Sequence, residues 1–322
     1  MYTNSISLTL QPKIFDLMKK ILALLIIITY SIHCQAQKEQ IELNLIKGET
    51  YRQNMVADMS MMQKAGGQEI AIKMQISGKT AYKVLNVIDT IYDIEVKYES
   101  LAMKMDMPSG GMIIDSEKES PDNVFSKVLV AMKKHPFQIK ISKSGKVMEV
   151  KNIENLFNAF NDFPELPAAQ KDQIKKQLSD SYGEKSFKNN LEMSLSIFPA
   201  KRVSKGEHWT VKSKFESGSS AEMETTYELK EITSDYYLLT SLAKISTSNN
   251  TTYVEKNGMQ MKSDLNGSSD AEIKIDKKTG WIISSKTNQQ VNGTITIKEN
   301  DAIPGGMTLP MKMNNIITIS GQ

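Results

Sequence analysis

In Tyr92-Asp93-Ile94-Glu95-Val96-Lys97-Tyr98-Glu99-Ser100-Leu101-Ala102-Met103-Lys104-Met105-Asp106-Met107, apolar and polar residues trade places at almost every step. A period of two is that of a β-strand, whose side chains point to opposite faces in turn. Tyr92, Ile94, Val96 and Tyr98 therefore share one face, with Asp93, Glu95 and Lys97 on the other. Leu101, Met103, Met105 and Met107 alternate as well, but out of phase with Tyr98. A bulge or turn near Glu99-Ser100 brings both sets to a common face; without one, the methionines point away from the tyrosines.

The same texture extends along the chain. Ile70, Ile72, Met74 and Ile76 alternate with Glu69, Ala71, Lys73 and Gln75, and Ile273 with Ile275 and Ile295 with Ile297 continue the pattern. One apolar and one solvated face is the mark of antiparallel sheet. Methionine follows this period too. Met59 and Met61, Met103, Met105 and Met107, Met259 and Met261, and Met311 and Met313 supply nine of the 20 methionines, each set on one face of an extended segment. Three readings of these faces stand open. Met-x-Met strands offer soft thioether ligands that select Cu(I) or Ag(I). Methionine also lines adaptable apolar binding surfaces, and it fills cores.

Two stretches of the chain resemble each other. Lys47-Gly48-Glu49-Thr50-Tyr51 corresponds to Lys205-Gly206-Glu207-His208-Trp209, and Tyr82-Lys83-Val84-Leu85 to Tyr227-Glu228-Leu229-Lys230. The run from Ile139 to Val147 echoes that from Ile273 to Ile282, each with a glycine (Gly145, Gly280) between strand-like segments, as a hairpin requires. The expected organisation is a first β-rich half over 37–150 with a short helix near 121–134, a helical insert over 151–199, and a second β-rich half over 200–322. Apolar stripes mark the helices. Val124, Phe125, Val128, Leu129 and Met132 form one; Ile153, Leu156, Phe157 and Phe160 another; and Phe187, Leu191, Leu195 and Phe198 a third. Ala168–Tyr182 reads as a more polar helix stopped by Gly183. The fold class is α+β and β-dominated: a large curved antiparallel sheet, or sheets, built from two related halves, with the helices between them packed on the apolar face.

Residues 1–36 read as an export signal, and Met18 offers an alternative start. Lys19 and Lys20 precede the apolar run Ile21–Ile28, and Cys34-Gln35-Ala36 places small residues for cleavage after Ala36. The run is too short for a membrane span of about 20 residues. Ser31-Ile32-His33 departs from the lipoprotein pattern and argues against a lipid anchor on Cys34. Cleavage leaves 286 residues with no cysteine and 37 basic against 36 acidic side chains. That balance gives no argument for nucleic acid, and the mature chain holds no second apolar run of membrane length. A periplasmic or extracellular location is expected.

Catalytic chemistry finds little support. Of three histidines, His33 leaves with the signal, and His135 and His208 sit in no triad or zinc-ligand spacing. Gly110-Gly111 and Gly305-Gly306, beside Pro108 and Pro304, read as turns rather than phosphate loops. Joined to the nearby methionines they suggest the rim of a cavity, with a long hairpin turn as the plainer reading. Carboxylate pairs such as Glu117 with Glu119 and Asp162 with Glu165 read as surface residues. No enzyme and no cofactor are expected.

The Lys47–Tyr51 segment, the Gly145 hairpin with the helical insert after it, and Phe198-Pro199-Ala200-Lys201-Arg202-Val203-Ser204-Lys205-Gly206-Glu207-His208-Trp209 resemble a family of uncharacterised exported bacterial proteins. In that family an F-P-x-K-x-V-x-x-G-x-x-W segment precedes the second β-rich half. The resemblance implies the two-part fold and no catalytic residues. The architecture is also similar to half-barrel carriers of lipids and lipoproteins in the bacterial envelope, an analogy of fold alone. The sequence thus leads to an exported envelope protein that binds a hydrophobic small molecule, a lipid or an envelope protein on a Met-rich inner sheet face. The alternatives are a Cu(I)- or Ag(I)-binding protein centred on Met103, Met105 and Met107, and a structural module without ligand.

Overall fold

The computed structural model describes residues 38–322 apart from 66–67, 109, 119–123, 163–166, 170, 173–174, 177–178, 180–182, 217–219, 248–251, 257 and 302. The expected export signal with Met18 and Cys34, the first residues of the helix expected near 121–134 and much of 168–182 lie outside the described residues. The strands run β1 (Thr50–Ala65), β2 (Gln68–Ile88), β3 (Ile91–Met107), β4 (Gly110–Asp115), β5 (Phe137–Ser142), β6 (Val147–Lys151), β7 (His208–Glu216), β8 (Ser220–Ile232), β9 (Tyr236–Thr247), β10 (Val254–Lys256), β11 (Met259–Asp276), β12 (Ile282–Ile297) and β13 (Met307–Gly321). Helix α1 spans Val124–Met132, a 3₁₀ helix Ile153–Asp162, and α2 Glu184–Leu195. The spacing of Ile153, Leu156 and Phe157 predicts a helix there but not its tighter winding, since both windings set i and i+3 on one side.

All thirteen strands join one antiparallel sheet in the order β6-β5-β3-β2-β1-β13-β12-β11-β9-β8-β7, with β4 beside β3 and β10 beside β11. Each half is a meander, and the seam between them pairs β1 with β13. The outermost strands are therefore β6 and β7. Yet both meet α2 or the residues just past it. Val147 N of β6 donates to Glu192 Oε1 at 3.2 Å, and Trp209 Nε1 of β7 donates to Ile197 O at 2.9 Å. The sheet curls until one helix bridges its two edges.

The segments alike in sequence sit in the same places. Gly48 N donates to Val84 O and Val84 N to Glu49 O; in the second half Gly206 N donates to Leu229 O and Leu229 N to Glu207 O. Tyr51 pairs with Tyr82 as Trp209 pairs with Tyr227. The sheet irregularities repeat as well, at Val84/Asn86 and Leu229/Glu231, then at Lys140/Ile141 and Lys274/Ile275. Helix α1 has no counterpart among the described residues of the second half.

The core fills one end of the curl. Val84, Ile94, Val96, Leu229, Leu239 and Ile275 from the sheet bury against Val128 and Met132 of α1, Leu156 of the 3₁₀ helix and Leu195 of α2. The extended residues 39–46 run through this end. Leu43 N donates to Lys143 O at 2.8 Å and Asn44 N to Thr279 O at 2.7 Å, so two adjacent amides tie down the two corresponding hairpins. The phenol of Tyr92 donates to Leu43 O, and that of Tyr237 donates to Glu39 Oε2, each at 2.9 Å. Both hairpins need glycine. A Cβ on Gly280 (φ 68°) falls 2.0 Å from Glu42 O, and one on Gly145 (φ 78°) falls 2.1 Å from Leu195 O.

Candidate functional site: the methionine face

The long strands outrun this core. β2 has 21 residues, about 70 Å of extended chain, and the helices cover only one end of it. At the other end lie the methionines, and register fixes which way they face. Following the side chains opposite one another from strand to strand, Met59 lies beside Met74 of β2 and Asn315 of β13, and Met61 beside Ile72 and Met313. Met103 and Met105 lie beside Ile76 and Met74. Met311 lies beside Gln63 and Gly293, and Met261 beside Ile297. By alternation Met107 and Met259 share that face.

All nine thus project from the face that, further along the same strands, carries Tyr51, Tyr82, Val84 and Ile94 into the core. The bulge at Glu99 makes this so. Lys79 pairs with Ser100 and Thr80 with Tyr98, leaving Glu99 unpaired and shifting β3 by one residue. The methionines come back into phase with Tyr98 and Val96. Arg52 and Lys79 reach the Glu99 carboxylate at 2.9 and 3.4 Å. Partial burial pulls this carboxyl upward, but the two cations outweigh it and hold it below the ordinary value.

None of the nine methionines enters the core cluster. Eight are half-buried and Met107 is exposed at 37%. The face is neither a sealed core nor a solvated surface. Register also adds two methionines that the one-residue spacing does not reveal. Met112 lies beside Met105, so Met112, Met105, Met74 and Met59 form one row across β4, β3, β2 and β1. Beyond the seam the chemistry of the row changes to Asn315, Gln289, Ser269, Ala243 and Thr225. Along this row the inner face passes from methionines to small and polar residues at the seam, while Met311, Met313 and Met261 carry apolar side chains on the second half.

The hairpins between β3 and β4 and between β12 and β13 both lie at this open end. Near the second, Tyr253, Ile297, Lys298, Gly305, Gly306 and Met307 line a depression of about 340 Å³. Lys262 and Lys298 lie 5.4 and 5.9 Å from the Tyr253 ring centre. Between helices and sheet, core side chains from both pack together among the described residues. His208 stands exposed on β7, 3.8 Å from Glu228, and among the described residues no group of three or more His, Asp or Glu side chains could hold a metal ion. No helix among them is long and apolar enough to cross a membrane.

A curled antiparallel sheet, plugged at one end and methionine-lined at the other, is the class of protein these features define. The chain belongs to a family of unknown function, DUF6263, whose model matches residues 89–282. That span runs from the start of β3 to the start of β12 and holds Met103, Met105, Met107, Met259 and Met261. No curated protein matches the sequence. Among solved structures the chain is similar to lipovitellin in a study of lipid–protein interactions, with 11% identity and a TM-score of 0.49 over 87% of this chain. It spans only 25% of that chain. It is also similar to an outer membrane channel from Pseudomonas putida F1, with 7% identity and a TM-score of 0.23 over 87% of this chain and 97% of that one. OprD of Pseudomonas aeruginosa matches at 6% identity and 0.21 over 89% and 99%. At these scores none of the three bears on function.

Proposed function

We propose that this is an exported, non-catalytic envelope protein that holds a hydrophobic ligand, a small molecule or lipid, on the methionine face at the open end of the curl. One observation carries the reading: nine methionines from four strands share the inner face of a single sheet, eight of them half-buried, all outside the core cluster that the helices seal at its other end. Unbranched thioethers adapt to the shape of an apolar guest at little cost in strain. Native mass spectrometry of freshly purified protein, with titration of N-phenyl-1-naphthylamine, tests it. Co-purified lipid or saturable probe binding that weakens in a Met59→Ser/Met105→Ser double variant is expected. A ligand-free spectrum with no probe binding overturns it.

The row of four methionines on adjacent strands favours one further reading, a Cu(I) or Ag(I) site of thioether ligands. Anaerobic Cu(I) titration decides it: stoichiometric uptake lost on substitution of Met103 and Met105 supports the site, and no uptake rejects it.

A further inference from the structure

Asn315 interrupts the methionine face. It is 93% buried by its 7% exposure, with Met313 and Ile317 two residues away on its own strand and Met59 opposite on β1. Its Nδ2 donates to Gln289 Oε1 at 2.7 Å. Its Oδ1 has no partner. Buried amide oxygens are seldom left so, because an unmet acceptor forfeits its hydrogen bond to water without replacement. The other such amide, Gln53 with its free Nε2, lies on β1 nearer the plugged end, opposite Gly321.

We infer that Asn315 is the polar anchor of the ligand site and that the ligand is a hydroxyl-bearing amphiphile. The inference rests on the apolar-ligand reading above and names the class of ligand. A hydroxyl suits the unpartnered atom whichever way the amide pair is turned. With Nδ2 on Gln289 the free atom is an acceptor, and with the pair reversed it is a donor; a hydroxyl serves as either. The apolar part of the ligand lies on the methionine wall of β1 to β4, and its hydroxyl reaches the seam, where the row turns from Met59 to Asn315 and Gln289. The thioether chains of Met59 and Met313 flank the amide in register and are flexible enough to swing aside for the guest.

The test uses the mature chain and a pair of probes that differ in one hydroxyl. N-phenyl-1-naphthylamine is bound first, then displaced by stearate or by 12-hydroxystearate. The wild-type chain is expected to prefer the hydroxylated chain about fivefold, the worth of one net hydrogen bond. In Asn315→Leu, and in Asn315→Val as a second variant suited to a strand, the two acids should displace the probe equally while the probe itself still binds. Equal displacement by both acids from the wild-type chain overturns the anchor and leaves the apolar-ligand reading standing. A preference that survives in both variants overturns the anchor as well. Absence of probe binding to the wild-type chain overturns both readings.

Discussion

The two ends of the same strands differ in what covers them, not in how they alternate. On β3, Ile94 and Val96 are wholly buried, whereas Met103 and Met105, seven to eleven residues further along the same face, are half-exposed. On β11, Ile275 is wholly buried while Met261 is half-exposed. Period two assigns a face to each residue, but only tertiary cover decides whether that face is core. At the plugged end, branched and aromatic side chains pack against helices and the 39–46 segment. At the open end, unbranched methionine stands outside the core cluster.

The sharpest way to break this contrast is at the plug. Gly280→Ala sets a methyl against Glu42 O in a left-handed conformation, so the 39–46 segment must move. A loss of about 4 kcal/mol or more is expected, read as a fall of about 10 °C in Tm by circular dichroism. Next, the two ends can be compared directly. Ile94→Ala should cost about 3 to 4 kcal/mol, as for other fully buried truncations, whereas Met105→Ala should cost less than about 1 kcal/mol. Urea denaturation of the pair measures the difference, and equal costs would remove the distinction between the ends.

Alkaline pH gives a smaller and graded effect on the plugged end. Burial pushes the Tyr227 phenol up to about 12, against a weaker downward pull from its hydrogen bond with Thr225. Burial also raises Tyr82, and burial with the Glu39 carboxylate raises Tyr237. A raised acid is held neutral by the fold. Its stabilisation is therefore complete below pH 10 and is lost as pH climbs from 10 toward the folded value. Tyr227 alone accounts for roughly 3 kcal/mol between pH 10 and 12. Stability followed by fluorescence should be flat up to about pH 10 and fall above it. Tyrosine absorbance at 295 nm should lag the titration of free tyrosine.

Much of this was legible in the residues. The alternation in 92–107 left two outcomes open, a shift at Glu99-Ser100 or methionines turned away from the tyrosines, and the structure has the shift. The glycine anchors at 48 and 206 gave the two-part plan because a turn that needs glycine leaves a mark in the sequence. The alternation left one sheet and two sheets both open, since nothing local dictates that β1 and β13 pair; the pairing makes it one. Met74 and Met112 were missed because their partners lie on other strands rather than two residues away. Asn315 was missed for a related reason. An amide in an alternating strand looks like any solvated residue until register sets it between Met59 and Gln289.

The seam has a consequence for how the chain reaches this structure. Met61 pairs with Met313, a separation of 252 residues, and β1 has no partner on that side until the thirteenth strand arrives. Each meander can form early from local hairpins, but closure waits on contacts of the longest range in the molecule, which makes the last step slow relative to the first. Until then β1 is a naked edge of sixteen residues, open to pairing with any other extended chain. Premature folding of the first half would therefore expose the molecule to aggregation for as long as the second half is delayed, and a cell that keeps the whole chain unfolded until all of it is present removes that interval.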